Sequence, residues 1–332
     1  MDVVVKKTAV ALVALGAVFS AVLLFGGSPA VAAACSSSFT NKTTSDGLGS
    51  NWVHGVYAVG LNVFAATNGG LSISTDGGTT FTNKTTTGGL GSDGLFGVYA
   101  VGSNVYAATT GGLSISTNGG ATFTNTTTAD GLGSDVVAGV YVDGSNVYAA
   151  TGGGLSISTN GGATFTNKTW TDGLGSDFVR GVYADGGNVF AAAIGGLSIS
   201  TDGGATFTNK TSTDGLGEDN LQGVYADGSN VFAATSGGLS ISTDGGTTFT
   251  NKTTTDGLGS DLAYGVYSDG NNVYAATSGG LSISADCVSP STELPDTGSN
   301  STVIGGFTTA ATGLLSVGVI ALVVVRRRHA SR

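Results

Sequence analysis

Between residues 35 and 297 the side chains able to do chemistry are few: one histidine, His54, one arginine, Arg180, and two glutamates, Glu218 and Glu293. Aspartate is the exception, and two carboxylates flanking a sugar linkage are the equipment of a glycosidase. Most of these aspartates, however, recur among Gly, Asn and Ser, the company that turn-forming residues keep. The recurring pairs Asp130 and Asp135, Asp172 and Asp177, Asp214 and Asp219, and Asp256 and Asp261 also offer the oxygen ligands that Ca²⁺ takes. Their place in Gly-containing links favours turn chemistry, and neither a metal nor another cofactor is expected. Binding is therefore the leading function, with an extracellular glycosidase as the alternative.

The best pointer to a binding site is variation within a repeat. One 42-residue unit fills the middle of the chain, with Leu71, Leu113, Leu155, Leu197, Leu239 and Leu281 in register, and likewise Tyr57, Tyr99, Tyr141, Tyr183, Tyr225 and Tyr267. Positions that build the unit must repeat, whereas positions that meet a partner are free to differ. Differences concentrate at Trp52 and His54, Gly94 and Phe96, Val136 and Ala138, Phe178 and Arg180, Asn220 and Gln222, and Leu262 and Tyr264. A second variable set is Asn68, Thr110, Gly152, Ile194, Ser236 and Ser278. The expected ligand face comprises Trp52, His54, Phe96, Phe178, Arg180 and Tyr264, a mixture suited to stacking on sugars or gripping a peptide. Neutral drift or packing in a central channel is the bland alternative.

Short runs such as Leu-Ser-Ile-Ser-Thr, bounded by Gly, Asn and Asp, predict β-strands throughout and no helix within the unit. In the unit around residue 150 the strands fall near Gly139–Val142, Val147–Thr151, Leu155–Thr159 and Thr164–Thr169. Four antiparallel strands at this period match a propeller blade, which predicts an all-β, six-bladed propeller over 35–287. The link into the first strand and the loop between the second and third lie at one end of such a blade, so both variable sets share a face.

Ser74-Thr75-Asp76-Gly77-Gly78-Thr79-Thr80-Phe81 resembles the Asp-box turn of sialidase-like, sortilin-like and photosystem-assembly propellers. It recurs from Ser200 to Phe207 and from Ser242 to Phe249, and with Asn118 or Asn160 for Asp elsewhere. In that family the motif is a structural turn and implies fold, not activity. The segment from Asp172 to Leu197 also resembles the two-component-regulator propeller repeat, and together the resemblances span about residues 36–286. A sialidase of this family needs three arginines around the substrate carboxylate; three are not present in the repeats, so that activity is excluded.

Cys35 and Cys287 lie 252 residues apart, six repeats. In a closed ring they meet, with Ser36–Thr43 as an N-terminal strand completing the last blade; such a disulfide is worth about 4–5 kcal/mol in the chain-entropy view. Two unrelated free thiols are the alternative.

Residues 1–34 carry Lys6 and Lys7, an apolar run and small residues ending at Ala34, the pattern of a helical secretory signal peptide. Lipoprotein cleavage at Cys35 is a rival, weakened by Ala32 where a lipobox takes Leu. At the other end, after a short spacer (288–293), Leu294-Pro295-Asp296-Thr297-Gly298, an apolar stretch over 303–325 and the basic tail 326–332 resemble the LPXTG sorting signal of Gram-positive bacteria. The resemblance implies a transient transmembrane sorting helix, cleavage by a sortase after Thr297 and covalent attachment of Thr297 to peptidoglycan. A simple membrane anchor is the alternative. The expected product is a secreted, cell-wall-anchored surface protein with a glycan or protein partner near the wall.

Charge agrees with an exported module. Residues 35–297 hold 21 acidic side chains against 5 Lys and 1 Arg. Nucleic acid is not an expected partner, because binding it requires a basic surface. Lys42, Lys84, Lys168, Lys210 and Lys252 fall on the outermost strands, where a charge discourages edge-to-edge pairing.

Overall fold

A computed structural model describes residues 40–285, apart from 271. The repeats fold into six antiparallel sheets, arranged in chain order. The first contains β1 (Val53–Val59), β2 (Asn62–Thr67), β3 (Gly70–Ser74) and β4 (Thr82–Lys84). Each strand pairs with the next in the chain, in registers such as Tyr57 opposite Phe64 and Phe64 opposite Ile73. The same meander recurs as β5–β8 (95–126), β9–β12 (137–168), β13–β16 (179–210) and β17–β20 (221–252). The sixth sheet has β21 (Ala263–Ser268), β22 (Asn272–Thr277) and β23 (Gly280–Ala285).

Strand alternation sends successive side chains to opposite faces, and the sheets stack through those faces. Phe64, Ala66, Leu71 and Ile73 of the first sheet pack with Leu95, Ala100, Val105 and Phe123 of the second. Equivalent layers lie between later neighbours. Each fully buried Leu or Phe contributes about 1.5–3 kcal/mol, so the interfaces between sheets, rather than any central core, hold the molecule together. Along the first strands runs a ladder of tyrosines, with centroids 4.7 Å apart at Tyr57–Tyr99 and 5.1 Å at Tyr225–Tyr267. Burial pushes the Tyr183 phenol up to about 12, and burial likewise raises Tyr99 and Tyr141.

The six sheets do not close into a propeller. Closure would cover the first sheet with the last, but Val53 is 46% exposed and Val56 67%, whereas Leu95 and Val137, the counterparts of Val53, are 1% and 0% exposed. At the other end Leu281 is 65% exposed and Ile283 61%, while the equivalent Leu71, Leu113, Leu155 and Leu197 are at 0%. The tyrosine ladder ends likewise, with Tyr267 stacked on Tyr274 of its own sheet at 6.2 Å. Nor is the last sheet completed by an N-terminal strand among the described residues: the sixth sheet has three strands, and residues 40–43 belong to none. The physical reason is that each contact joins neighbouring repeats only, so nothing local requires the rotations between sheets to add up to a full turn.

Cys35 and Cys287, the signal segment, the Leu294–Gly298 motif and the stretch 303–325 lie outside the described residues. Among the described residues no helix is long and apolar enough to cross a membrane. The helices among the described residues are six three-residue 3-10 turns, one in the link leading into each sheet.

Candidate functional site

The link into each sheet ends on a β-bulge. The pairing of β1 with β2 skips from Val53 to Gly55, leaving His54 as the extra residue. The same shift recurs in every sheet and leaves Phe96, Ala138, Arg180, Gln222 and Tyr264 unpaired. A bulge re-aims its side chain out of the ladder, so the second variable position of each repeat is the one released from pairing. Gly181 follows the bulge of the fourth sheet, and a Cβ on it would stand 3.3 Å from Cα of Gly223. Glycine at this point lets neighbouring first strands approach and brings successive bulges close together.

Backbone hydrogen bonds place the two variable sets side by side. Asn68 donates to the Trp52 carbonyl at 3.1 Å, Gly152 to Val136 at 3.2 Å, Ile194 to Phe178 at 3.3 Å and Ser278 to Leu262 at 2.9 Å. Within this face two groups of side chains assemble. His54 Nε2 lies 2.7 Å from Asn68 Oδ1, and its ring meets Phe96 edge-on at 5.9 Å. Arg180 lies over the Phe178 ring at 5.7 Å, in cation–π range. Its guanidinium also donates to Asn220 Oδ1 at 2.6 Å and to the Leu221 carbonyl at 3.3 Å, tying the fourth sheet to the fifth. Trp52 and Tyr264, 71% and 54% exposed, stand on the first and last sheets. Because the array is open, they do not face each other across a channel.

The fourth repeat departs most from its neighbours. In other sheets a threonine clamps the loop between the second and third strands, as where Thr151 donates to the Gly154 carbonyl and accepts from Gly153 N. Ala193 replaces it in the fourth sheet, next to the exposed Ile194. The Phe178 ring rests 3.9 Å from where a Cβ on Gly152 would stand, so it leans toward the third sheet, where Val136 is also exposed. Trp170, 66% exposed, belongs to the same repeat, and its backbone N–H is held by Asp177, the residue before Phe178. The sequence marked Asn68 and Asn220 as variable positions without placing them in the ligand face, and it passed over Trp170. Trp170 stands where the other repeats carry Thr or Ser, a signal available in the alignment of the repeats.

The carboxylates are occupied with architecture. Asp130 accepts from Thr127 N and Asp135 from Thr128 N, so the pair caps a 3-10 turn. The reciprocal bonds of a capping box recur at Asp46, Asp172, Asp214 and Asp256, and the backbone N–H ahead of each holds its carboxyl below the usual range. In the Ser-x-Asp turns, Asp244 accepts from Thr248 N, Ser242 Oγ and Thr247 N, which brings its pKa down to about 2. Asn118 and Asn160 accept from Thr122 N and Thr164 N in the same place. Among the described residues no cluster of His, Cys, Asp and Glu is arranged to hold a metal ion. The repeated Asn-Lys-Thr also has a structural use: Asn83 Nδ2 donates to the Gly69 carbonyl and its Oδ1 accepts from Ser72 Oγ.

No family model and no curated protein matches the sequence. Solved structures do match the fold. The extracellular domain of a B. thetaiotaomicron protein described as a hybrid two-component system superimposes with TM-score 0.61 at 20% identity over 74% of this chain and 35% of that one. The extracellular domain of a one-component system from the same organism gives 0.56 at 13%, over 70% and 32%. YCF48 bound to D1 peptide gives 0.53 at 14%, over 71% and 78%. This chain spans about a third of the length of the two extracellular domains it matches. It is a six-repeat, mostly-sheet domain resembling extracellular domains of bacterial sensors.

Proposed function

We propose that this chain is an extracellular binding module whose bulge face grips an extended protein segment, with the fourth sheet at its centre. The observation that carries this reading is that Phe178, beneath the Arg180 guanidinium, and the exposed Ile194 and Trp170 all belong to one repeat, in or beside its variable links. Exposed aromatic and aliphatic groups beside a fixed guanidinium suit apolar side chains and backbone carbonyls of a peptide. The fold hosts a peptide in YCF48, and it serves outside the membrane in the two sensors. The Leu294-Pro295-Asp296-Thr297-Gly298 sequence supports placing the module at a Gram-positive wall, joined to peptidoglycan through Thr297 by a sortase.

A peptide array probed with the purified chain, followed by titration of the peptides retained, tests this reading. The double substitution Phe178→Ala with Ile194→Ser should weaken retention at least about tenfold, as loss of two central anchors does, with unchanged melting. Thr79→Ala with Thr247→Ala, at the opposite end of the sheets, should leave it intact. Equal loss in both variants, or retention by purified wall glycan with no peptide bound, would overturn the assignment.

A further inference from the structure

The two ends of the array are complementary halves of an interface that the chain itself makes five times. Ile73, Ile115, Ile157 and Ile199 each reach the following sheet at a turn glycine, where a Cβ on Gly120, Gly162, Gly204 or Gly246 would stand 2.4 Å from the isoleucine Cδ1. Ile283 is the same position in the sixth sheet and is exposed. Gly78 is the same glycine in the first sheet, and a Cβ there would meet only Phe81 and Val63 of its own sheet, at 3.9 Å. The last sheet therefore presents the isoleucine, and the first keeps the glycine.

Two further observations point to the same fit. Lys42 donates to the Thr79 carbonyl as Lys84, Lys168 and Lys210, on outer strands, donate to Ala121, Ala205 and Thr247 of the following sheet. Residues just before the first sheet thus bear on it as the outer strand of a preceding sheet would. At the other end a cavity of about 330 Å³ lies between the fifth and sixth sheets, lined by Leu239, Ile241, Leu258, Val273 and Ile283. In the earlier interfaces Phe123, Phe165, Phe207 and Phe249, each 8% exposed, take part in the apolar layer.

We propose that copies of this chain join head to tail, the open face of one copy's first sheet covering the sixth sheet of the next. The contact is continuous with the five established interfaces and repeats their chemistry. It is heterologous, so copies join into a ring or a filament according to the rotation per contact.

Sedimentation of the full chain in detergent, which keeps the apolar stretches near the two termini from driving association, provides the test. The wild type should associate with rising concentration. Val56→Asp and the pair Leu281→Asp with Ile283→Asp, all at exposed positions, should each be monomeric with unaltered circular dichroism. An equimolar mixture of the two variants should form a dimer and nothing larger, because each supplies the intact half that the other lacks. A monomeric wild type, association that persists in either variant alone, or a mixture that stays monomeric would each overturn the proposal.

Discussion

Ile73 and Gly120 occupy one space across two sheets: the isoleucine Cδ1 lies 2.4 Å from the point a Cβ on Gly120 would take. Gly120 also has φ +85°, so it answers both a turn and a close approach. Its neighbour Gly119, at φ +73°, has nothing within 4 Å of its missing Cβ.

The pair separates backbone strain from packing. Gly119→Ala should cost about 1–2 kcal/mol, the penalty of a left-handed residue with a side chain. Gly120→Ala should add a further 1–3 kcal/mol or so for overpacking against Ile73. Denaturant titration of the two variants measures the difference, and equal losses would mean that the sheets slide apart without resistance.

Acid should act first on the turns. The carboxyls of Asp76, Asp202 and Asp244 accept several hydrogen bonds each and titrate below their ordinary 3.8, Asp244 at about 2. A depressed folded-state pKa gives stability that is present above the unfolded value and is lost as pH falls through the folded one. Melting temperature should therefore hold from neutral pH to about 4 and fall toward pH 2. Replacing all three by Asn, as residues 118 and 160 already are, should keep the fold and shrink the drop. The capping aspartates will leave part of it. A drop of full size in the triple variant would locate the acid sensitivity elsewhere.

Attachment to the wall is tested at the motif itself. Replacing Leu294 and Pro295 with Ala in the producing cell should move the protein from the fraction released by wall-digesting enzymes to the membrane or the medium. Unchanged wall linkage would remove the sortase assignment and leave the binding face untouched.

The sheets were legible because the period of two along Leu71-Ser72-Ile73-Ser74 and the Gly-Gly turns fix strands and hairpins locally. Closure was not, because Val56, Leu281 and Ile283 match their partly or fully buried counterparts in type, and the end of an array carries no mark in its residue types. The 3-10 turns are written in Thr-x-x-Asp, as at Thr43 and Asp46, a capping signature hidden among apparent loop residues. The variable face was legible as a set of positions. The bulge that releases His54 or Arg180 from the ladder was not, since it depends on how two strands register rather than on either residue.

Each sheet rests on its neighbours alone, so stability passes along this molecule as it does along a row of coupled units. In a single copy the first and sixth sheets have one neighbour each and should open before the rest, giving amide exchange that slows toward the third and fourth. The candidate binding centre then sits at the kinetically quietest point of the row, while the free edges do the breathing. A lesion in the middle would weaken both halves at once, whereas the same lesion at an end would shorten the row by one.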